Sequence, residues 1–493
     1  MIIGIDIGTQ SLKAVAVDES MKVLGEAAYR YMPSFPRPGW AEQDPTLWEE
    51  GVHSAVAEAL KSAGISPLEV RALGVAGQLD GCLPVGPNGQ ALYNCLIWMD
   101  RRAEKELASV KGIDADNFRQ VTGITMDAGH MAAKIRWFMA NHVNSKKEVC
   151  FHQPVSYMVA RLTGEHVYDH ALASTSMLYS IQQGDYDDSL LRAFGIDRRQ
   201  LPKIKEAWDK AGKLSAPGAL LSGLPEGITV AVGTGDDYST PLGAGIIKPG
   251  RMVCILGTAE VVGALDVSPK IDNSGLVETH KYFGETYFIE NPGWLSGGAL
   301  EWFVDTFRLS GVEEMVSLAE DVPAGSEGLF FLPALSGAMA PEWIESARGC
   351  FYGLTPAHGS AHMARAVLEG CAFAMRDVLE RLMSMDVPIA SILLLGGGAK
   401  SRLWAQIRAD VSGVPVVVPS RLDTSPVGAA MLAAVAAKIQ PDLESCAKLI
   451  EAHKKGGTGQ ATMNPDPVNS GVYDAVYSAY GRLFDSLRPM FRM

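Results

Sequence analysis

Basic residues are the scarcer charge in this chain. Across 493 residues, 43 Lys and Arg face 56 Asp and Glu, a formal net charge of −13. The deficit is shared: residues 1–245 carry 23 basic against 29 acidic side chains, and the remainder 20 against 27. Neither half has the cationic face that a nucleic acid or other polyanion requires. A small phosphorylated ligand is still allowed, because backbone amides can hold phosphate locally against an unfavourable overall field. Cysteine is sparse as well. The seven, at 82, 95, 150, 254, 350, 371 and 446, include no CxxC pair, which argues for reduced, packed thiols and against a thiolate metal centre. Long apolar runs are missing: the longest stretch of small apolar residues, Pro426 to Ala437, is too short to span a bilayer. The start, MIIGIDIGTQSLK, lacks a basic leader and is broken by Asp6, unlike a signal peptide. These absences lead us to expect a cytoplasmic protein with no membrane and no nucleic-acid partner. No GxxxxGK[ST] occurs, and no GxGxxG follows a strand, which excludes the P-loop and Rossmann solutions to nucleotide binding.

What is present is an ordinary globular balance, 47% apolar and 20% charged residues, over a length sufficient for roughly three structural units or two large ones. One structural grammar occurs twice. Ile3, Ile5 and Ile7 alternate before Gly8-Thr9, and Val15 and Val17 after it, which predicts a β-hairpin; a helix over 47–63 and a buried strand over 70–76 follow. MVCILGTAEVVGA at 252–264 predicts a second hairpin around Gly257-Thr258, followed by a helix over 360–384 and the strand ILLL at 392–395. The repetition points to duplicated α/β domains. The Gly- and Pro-rich stretch 241–250 marks their boundary, giving domains 1–245 and 246–493. Residues 455–470 read as a surface loop before a last helix over 471–487.

Four glycine-rich segments carry the chemistry. In IDIGTQSLK, Asp6 ends a strand and Gly8, Thr9, Gln10 and Ser11 form a turn able to cradle phosphate, with Asp6 placed for a cation. The plainer alternative is a Gly turn with a solvent-facing Asp, and the second Gly-Thr hairpin weighs against it. GTGDD sets Asp236 beside Asp237 at a strand end, where two carboxylates are costly unless a cation or a hydroxyl donor shares the site. One of them can serve as general base; a helix N-cap is the alternative. LLLGGGAKSRLW lets a base or phosphate approach the backbone at Gly396–Gly398, or is simply a tight turn between strand and helix. His166 with His170, and His358 with His362, have helical i,i+4 spacing but lack the glutamate of HExxH, so metal ligation is not expected of either pair. Trp98 and Trp404 read as packed aromatics, while Trp302 lies in the Gly-rich SGGALEWF.

Together the segments IDIGTQS, GWAEQDPTLW, GQLDG, WMDRR, YMVARLTGE, LASTSML, ILGTAE, GLFFLPALSG, GCFYGLTPAHGSAHMARAVLEG and GGGAKSRLWAQIRAD resemble, in order and over nearly the whole chain, the FGGY carbohydrate kinases. Among members, the EQDP and GGGAKS segments look most like xylulokinases. The resemblance implies an α/β fold of two actin-like ATPase (ribonuclease H-like) domains with a nucleotide and sugar cleft between them. It implies ATP-dependent phosphorylation of a terminal hydroxyl of a ketopentose, D-xylulose first, or of a related polyol. It further implies Asp236 as general base and Asp6 with Asp236 as holders of Mg²⁺. Thr9, Gln10, Ser11 and Lys13, with Gly257 and Thr258, would contact the phosphates of ATP. Trp302, Gly397, Gly398 and Ser401 would line the adenosine pocket, and Gln78, Leu79, Asp80, Asp100, Arg102 and Asp237 the sugar pocket. A homodimer is common in the family.

The departures fall near the sugar. The usual GQMHG is here Gly77, Gln78, Leu79, Asp80, Gly81; Asp237 stands where Asn usually follows the base; and an ERTP segment is replaced by Ala338, Met339, Ala340, Pro341. Two donors have thus become carboxylates, which only accept hydrogen bonds when ionised. Two other readings share the fold: an actin- or heat-shock-type ATPase, opposed by GQLDG and WMDRR, and a catalytically silent sugar-binding regulator, opposed by the retention of Asp6 and Asp236.

Overall fold

Alternation around Gly8-Thr9 folds as the expected hairpin, β1 (Ile2–Ile7) against β2 (Ser11–Val17), continued by β3 (Val23–Arg30). The structure is a computed structural model that describes residues 1–142, 149–455 and 460–492. After the hairpin comes the helix Pro45–Ala63. Asp44 caps it by accepting the Thr46 amide, Pro45 supplies a preset φ in the first turn, and Gly64 ends it in the left-handed region. Its buried face, Trp48, Val52, Ala55, Val56 and Ala59, has the i,i+3/i+4 spacing of an amphipathic helix. The sheet is completed by β4 (Ala72–Gly77), β5 (Lys210–Lys213), β6 (Thr229–Ala231) and the short β7 (Thr234–Gly235). Strand order is β5-β6-β4-β1-β2-β3, with β7 also on β4.

The second hairpin, β8 (Gly250–Leu256) with β9 (Ala259–Asp266), begins the same plan again. With β10 (Tyr287–Leu295), β11 (Ile389–Leu395), β12 (Val416–Val418) and β13 (Ala461–Met463), the order runs β10-β9-β8-β11-β12-β13. This is the first order repeated. In each sheet the hairpin's first strand pairs in parallel with the strand that follows a helix (β1 with β4, β8 with β11), and an antiparallel edge pair closes the far side.

The units are discontinuous along the chain. The first comprises Met1–Ile247, Thr279–Tyr287 and the segment from Thr424 through the helix Leu443–Lys455, and the second begins at Lys248. A division into 1–245 and 246–493 does not foresee the returning segments. The helix Ser425–Ala436 shows why the chain comes back. It is made of small apolar residues and is buried on β1 and β4, where glycines let backbone meet backbone. A Cβ on Gly4 would stand 1.8 Å from the Pro426 carbonyl oxygen, and one on Gly74 1.9 Å from that of Ala429. In the second unit the helix Ser360–Ser384 is the central core element, and the buried Arg365–Glu369 pair on it is completed by the Tyr473 hydroxyl. The last helix spans Pro467–Leu487, earlier than expected, and part of the expected 455–470 loop is strand β13; residues 456–459 lie outside the described residues. No helix among the described residues is long and apolar enough to cross a membrane.

Candidate active site

Three parallel strand ends align in the first unit. Register pairs Asp6 with Ala76 and Ile7 with Gly77, and pairs Thr234 with Ala76 and Gly235 with Gly77. The residues that leave β1, β4 and β7 at their carboxyl ends are therefore Gly8-Thr9, Gln78-Leu79-Asp80 and Asp236-Asp237. Ligands of α/β sheets bind outside such ends, where side chains and helix N-termini converge. Glycine is required at this level: a Cβ on Gly235 would lie 2.0 Å from Leu79 Cδ2, and one on Gly77 2.8 Å from Ile7 Cβ.

Asp236 and Asp237 open the helix Asp236–Gly243, whose N-terminus favours negative charge. Both are half-buried. Burial, then the charge of Asp237, holds the Asp236 carboxyl well above the usual range, with Lys13 opposing. Burial, then Asp80 and Asp6, pushes Asp237 up as well. Asp6 is 5% exposed. These carboxylates raise one another's proton affinity, and their hard oxygen donors suit a small divalent cation.

The Gly8 amide donates to the Ser11 carbonyl at 3.0 Å, closing the turn, and the Tyr31 hydroxyl donates to the Gly8 carbonyl at 2.7 Å. Gln43 ties this turn to its neighbour: its Nε2 donates to the Thr9 carbonyl at 2.5 Å, and its Oε1 accepts from Gln78 Nε2 at 2.6 Å. Gln78 Oε1 is buried and has no hydrogen-bond partner among the described residues. Trp98 differs from its expected packing: it is 44% exposed and donates its indole N–H to Thr9 Oγ1 at 3.0 Å. Gln10 is exposed at the turn.

Asp80 is held in the left-handed region, φ 55°, by bonds at both ends of its backbone. Its N–H donates to Gln153 Oε1 at 3.0 Å, and its carbonyl accepts from Lys134 Nζ at 2.7 Å. Lys134 is fully buried and also reaches the carbonyls of Ile97 and Gly129. The Asp80 carboxylate in turn meets His130 Nδ1 at 3.1 Å. Gln43, His130, Lys134 and Gln153 were not singled out from sequence, although a lone lysine inside the apolar run MAAKIRWFMA is a readable signal of a buried, backbone-holding ammonium.

Asp100 and Arg102 differ from the expectation of a sugar-lining pair. Asp100 is fully buried and accepts the Ala41 amide at 2.7 Å, while Arg102, its side chain 1% exposed, is occupied by Asp100 and Glu42 and lies 3.6 Å over the Trp40 ring. The pair is a brace behind the site. His170 Nδ1 pairs with the Tyr179 hydroxyl, and His358 and His362 each accept a backbone amide of their own turn.

The second unit repeats the strand-end arrangement. Ile255 of β8 is opposite Leu395 of β11, so Gly257-Thr258 and Gly396–Ala399 leave adjacent parallel strands. The Thr258 side chain is exposed, and its carbonyl accepts the amides of Ser296 and Gly298 at 3.2 and 3.0 Å. Gly396 has φ 79°, and a Cβ there would meet the Leu256 carbonyl oxygen at 2.6 Å. Gly397 is exposed with open space around it; Ser401 caps the helix Arg402–Ser412 by accepting the Trp404 amide at 3.1 Å. Trp302 is half-buried and stacked near Phe331 and Phe351, with centroids 6.0 and 6.5 Å away. Trp404 is packed as expected, fully buried.

The chain is similar to known proteins over its full extent. Residues 1–243 match the N-terminal domain of the FGGY family of carbohydrate kinases, and residues 252–437 its C-terminal domain. A glycerol kinase of Thermococcus onnurineus is 30% identical, with 97% of this chain and 98% of the relative covered. A xylulose kinase of Escherichia coli is 29% identical, with 99% and 100% covered. The crystal structure of xylulose kinase from Rhodospirillum rubrum superposes with a TM-score of 0.90 at 28% identity over 100% of both chains. Repeated sheets, aligned strand ends and both family domains lead to one conclusion: the chain belongs to the FGGY family of carbohydrate kinases, ATP-dependent enzymes with actin-like ATPase architecture.

Proposed function

We propose that the protein transfers the γ-phosphoryl group of ATP to a terminal hydroxyl of a ketopentose, D-xylulose first, or of a closely related polyol. The observation that carries this reading is the convergence of Asp6, Gln78–Asp80 and Asp236 at three aligned strand ends of the first unit. Asp236 takes the acceptor hydroxyl's proton as its oxygen attacks phosphorus, a role favoured by a carboxyl whose proton affinity is raised. Gln78, Leu79, Asp80 and Asp237 contact the acceptor; Asp100 and Arg102 hold the segment behind it.

In the second unit Gly257 and Thr258 hold phosphate, with Gly397, Gly398 and Ser401 beside the adenosine and Trp302 bordering it. Thr9, Gln10, Ser11 and Lys13 are further phosphate contacts. Asp6 and Asp236 hold Mg²⁺, which supplies charge neutralisation for phosphoryl transfer when bound. The seven unpaired cysteines fit a reducing cytoplasm, and the family's habit makes a homodimer our expectation.

A polyol acceptor is favoured by one feature. Asp80 brings a carboxylate where a hydroxyl can donate and a keto oxygen cannot. Coupled ADP-release assays with D-xylulose, L-xylulose, D-ribulose, ribitol, xylitol and glycerol test the reading. Acceptor-dependent ADP release with one pentulose or polyol preferred supports it, and ATP turnover indifferent to every acceptor defeats it.

A further inference from the structure

Away from the strand ends, the first unit gathers Cys150, His152 and His166 so that one donor atom of each lies within 4.8 Å of the others, the only such group of three or more His, Cys, Asp or Glu among the described residues. Cys150 and His152 are residues i and i+2 of the strand Cys150–His152, so both side chains leave the same face. That strand pairs with Leu83–Val85, His152 opposite Leu83 and Cys150 opposite Val85. His166 arrives from elsewhere in the fold, immediately before the strand Val167–Asp169.

The hydrogen bonds determine how His152 is presented. The Ser156 hydroxyl donates its single proton to the Gln153 carbonyl at 3.1 Å and accepts the Gln153 amide at 3.1 Å. With that proton placement it accepts from His152 Nδ1, 3.0 Å away. This makes His152 the Nδ1–H tautomer and turns the lone pair of Nε2 towards His166 Nδ1, at 2.8 Å. A ring fixed through one N–H, with the other nitrogen aimed at further donors, has the outer-shell support of a metal ligand. His152 is fully buried, whereas Cys150 and His166 are half-buried, which leaves a side from which an ion can enter.

We propose that Cys150, His152 and His166 bind a thiolate-preferring divalent cation of the Zn²⁺ class, with water in the fourth position. One sulfur and two imidazole nitrogens select such an ion over Mg²⁺ or Ca²⁺. The present N–H···N contact holds the place of the ion. Tetrahedral Zn–N bonds of about 2.05 Å put ring nitrogens about 3.3 Å apart, so the two rings part by about 0.5 Å. On binding, the Cys150 thiol releases its proton to solvent and the His166 proton moves to Nε2; nothing is oxidised or reduced. The ion joins the strand Cys150–His152 to the segment entering Val167–Asp169. The dispersed cysteines conceal this set in the sequence because its third member is a histidine from another element.

The test is Co²⁺ titration of the metal-free full-length chain, followed by Zn²⁺ displacement. The expected result is one equivalent of Co²⁺ with a thiolate-to-cobalt charge-transfer band and tetrahedral visible bands, displaced by Zn²⁺ and not by excess Mg²⁺, together with a rise in melting temperature. Cys150→Ser removes the charge-transfer band, His166→Gln weakens binding at least about 10-fold, and Cys350→Ser leaves both unchanged. Absence of the band in the wild-type chain, its survival in Cys150→Ser, or displacement by Mg²⁺ overturns the proposal.

Discussion

The carboxylate of Asp80 and the imidazole of His130 face each other across 3.1 Å. Their meeting is enforced by the backbone, since Gln153 and Lys134 hold the Asp80 amide and carbonyl and leave its side chain 20% exposed. His130 engages one carboxylate oxygen, and in the proposed reading the accepting capacity that remains meets a substrate hydroxyl. Asp80→His replaces an acceptor with a group that can donate. It should shift relative kcat/KM among pentuloses and polyols by about 1–3 kcal/mol, the scale of one buried polar mismatch. Steady-state kinetics over the six acceptors named above measure this, and an unchanged rank order removes Asp80 from the acceptor site.

The acid limb of activity should reflect the Asp236–Asp237 pair. Burial and then Asp237 raise Asp236 above the ordinary carboxylate value of about 3.9. A base must be ionised to act, so kcat/KM rises with pH through the raised value and then levels. In Asp237→Asn one neighbouring charge is gone, ionisation of Asp236 becomes easier, and the limb moves to lower pH. Carboxyl titration of the metal-free chain and of Asp237→Asn, set beside their kcat/KM profiles, checks the direction; an Asp236 ionisation that stays in place or moves up contradicts the coupling.

For the nucleotide, Thr258→Val removes a hydroxyl from an exposed turn while the backbone bonds from Ser296 and Gly298 remain. Loss of one hydrogen bond to a charged phosphate is worth about 1.5–3 kcal/mol. KM for ATP should rise by about 10-fold or more, with the acceptor KM little changed. A change confined to the acceptor would take Thr258 away from the phosphates.

Stability of the second unit depends on Arg408 and Glu260, both fully buried and paired at 2.5 and 2.7 Å. Arg408→Met strands a buried carboxylate and should cost about 3–5 kcal/mol. Adding Glu260→Leu should recover much of that loss, because two apolar groups replace an ion pair at little net cost. Urea unfolding of the single and double variants separates this from simple loss of packing, in which the double variant would be the worse of the two.

Much of the fold was legible because local pattern and tertiary packing agree. The two Gly-Thr hairpins, the capped helix Pro45–Ala63 and the strands β4 and β11 all carry their own periodicity and turn chemistry. The return of Ser425–Ala436 to the first unit was not legible, since it depends on Gly4 and Gly74 leaving room for its backbone, a relation between residues over 350 positions apart. The candidate site divides in the same way. Asp6, Asp236 and Thr258 announce themselves at strand ends beside glycines, whereas Asp80 is reached only through the resemblance of GQLDG to the family's segment. His130, Gln153 and Gln43 lie in segments without such marks and reach the site only through tertiary hydrogen bonds. Arg102 illustrates the converse, a motif residue whose charge is consumed by Asp100 and Glu42.

The proposed phosphoryl transfer turns on Asp236 as the base. The direct measurement is ATP- and acceptor-dependent turnover of Asp236→Asn, set beside nucleotide affinity by calorimetry and a thermal melt. Asn keeps the shape at the start of the helix Asp236–Gly243 and cannot take a proton. A fold and an ATP affinity close to wild type are expected, with kcat lowered at least about 100-fold, the contribution of a positioned general base. Near-normal turnover in a folded, ATP-binding Asp236→Asn enzyme would contradict it.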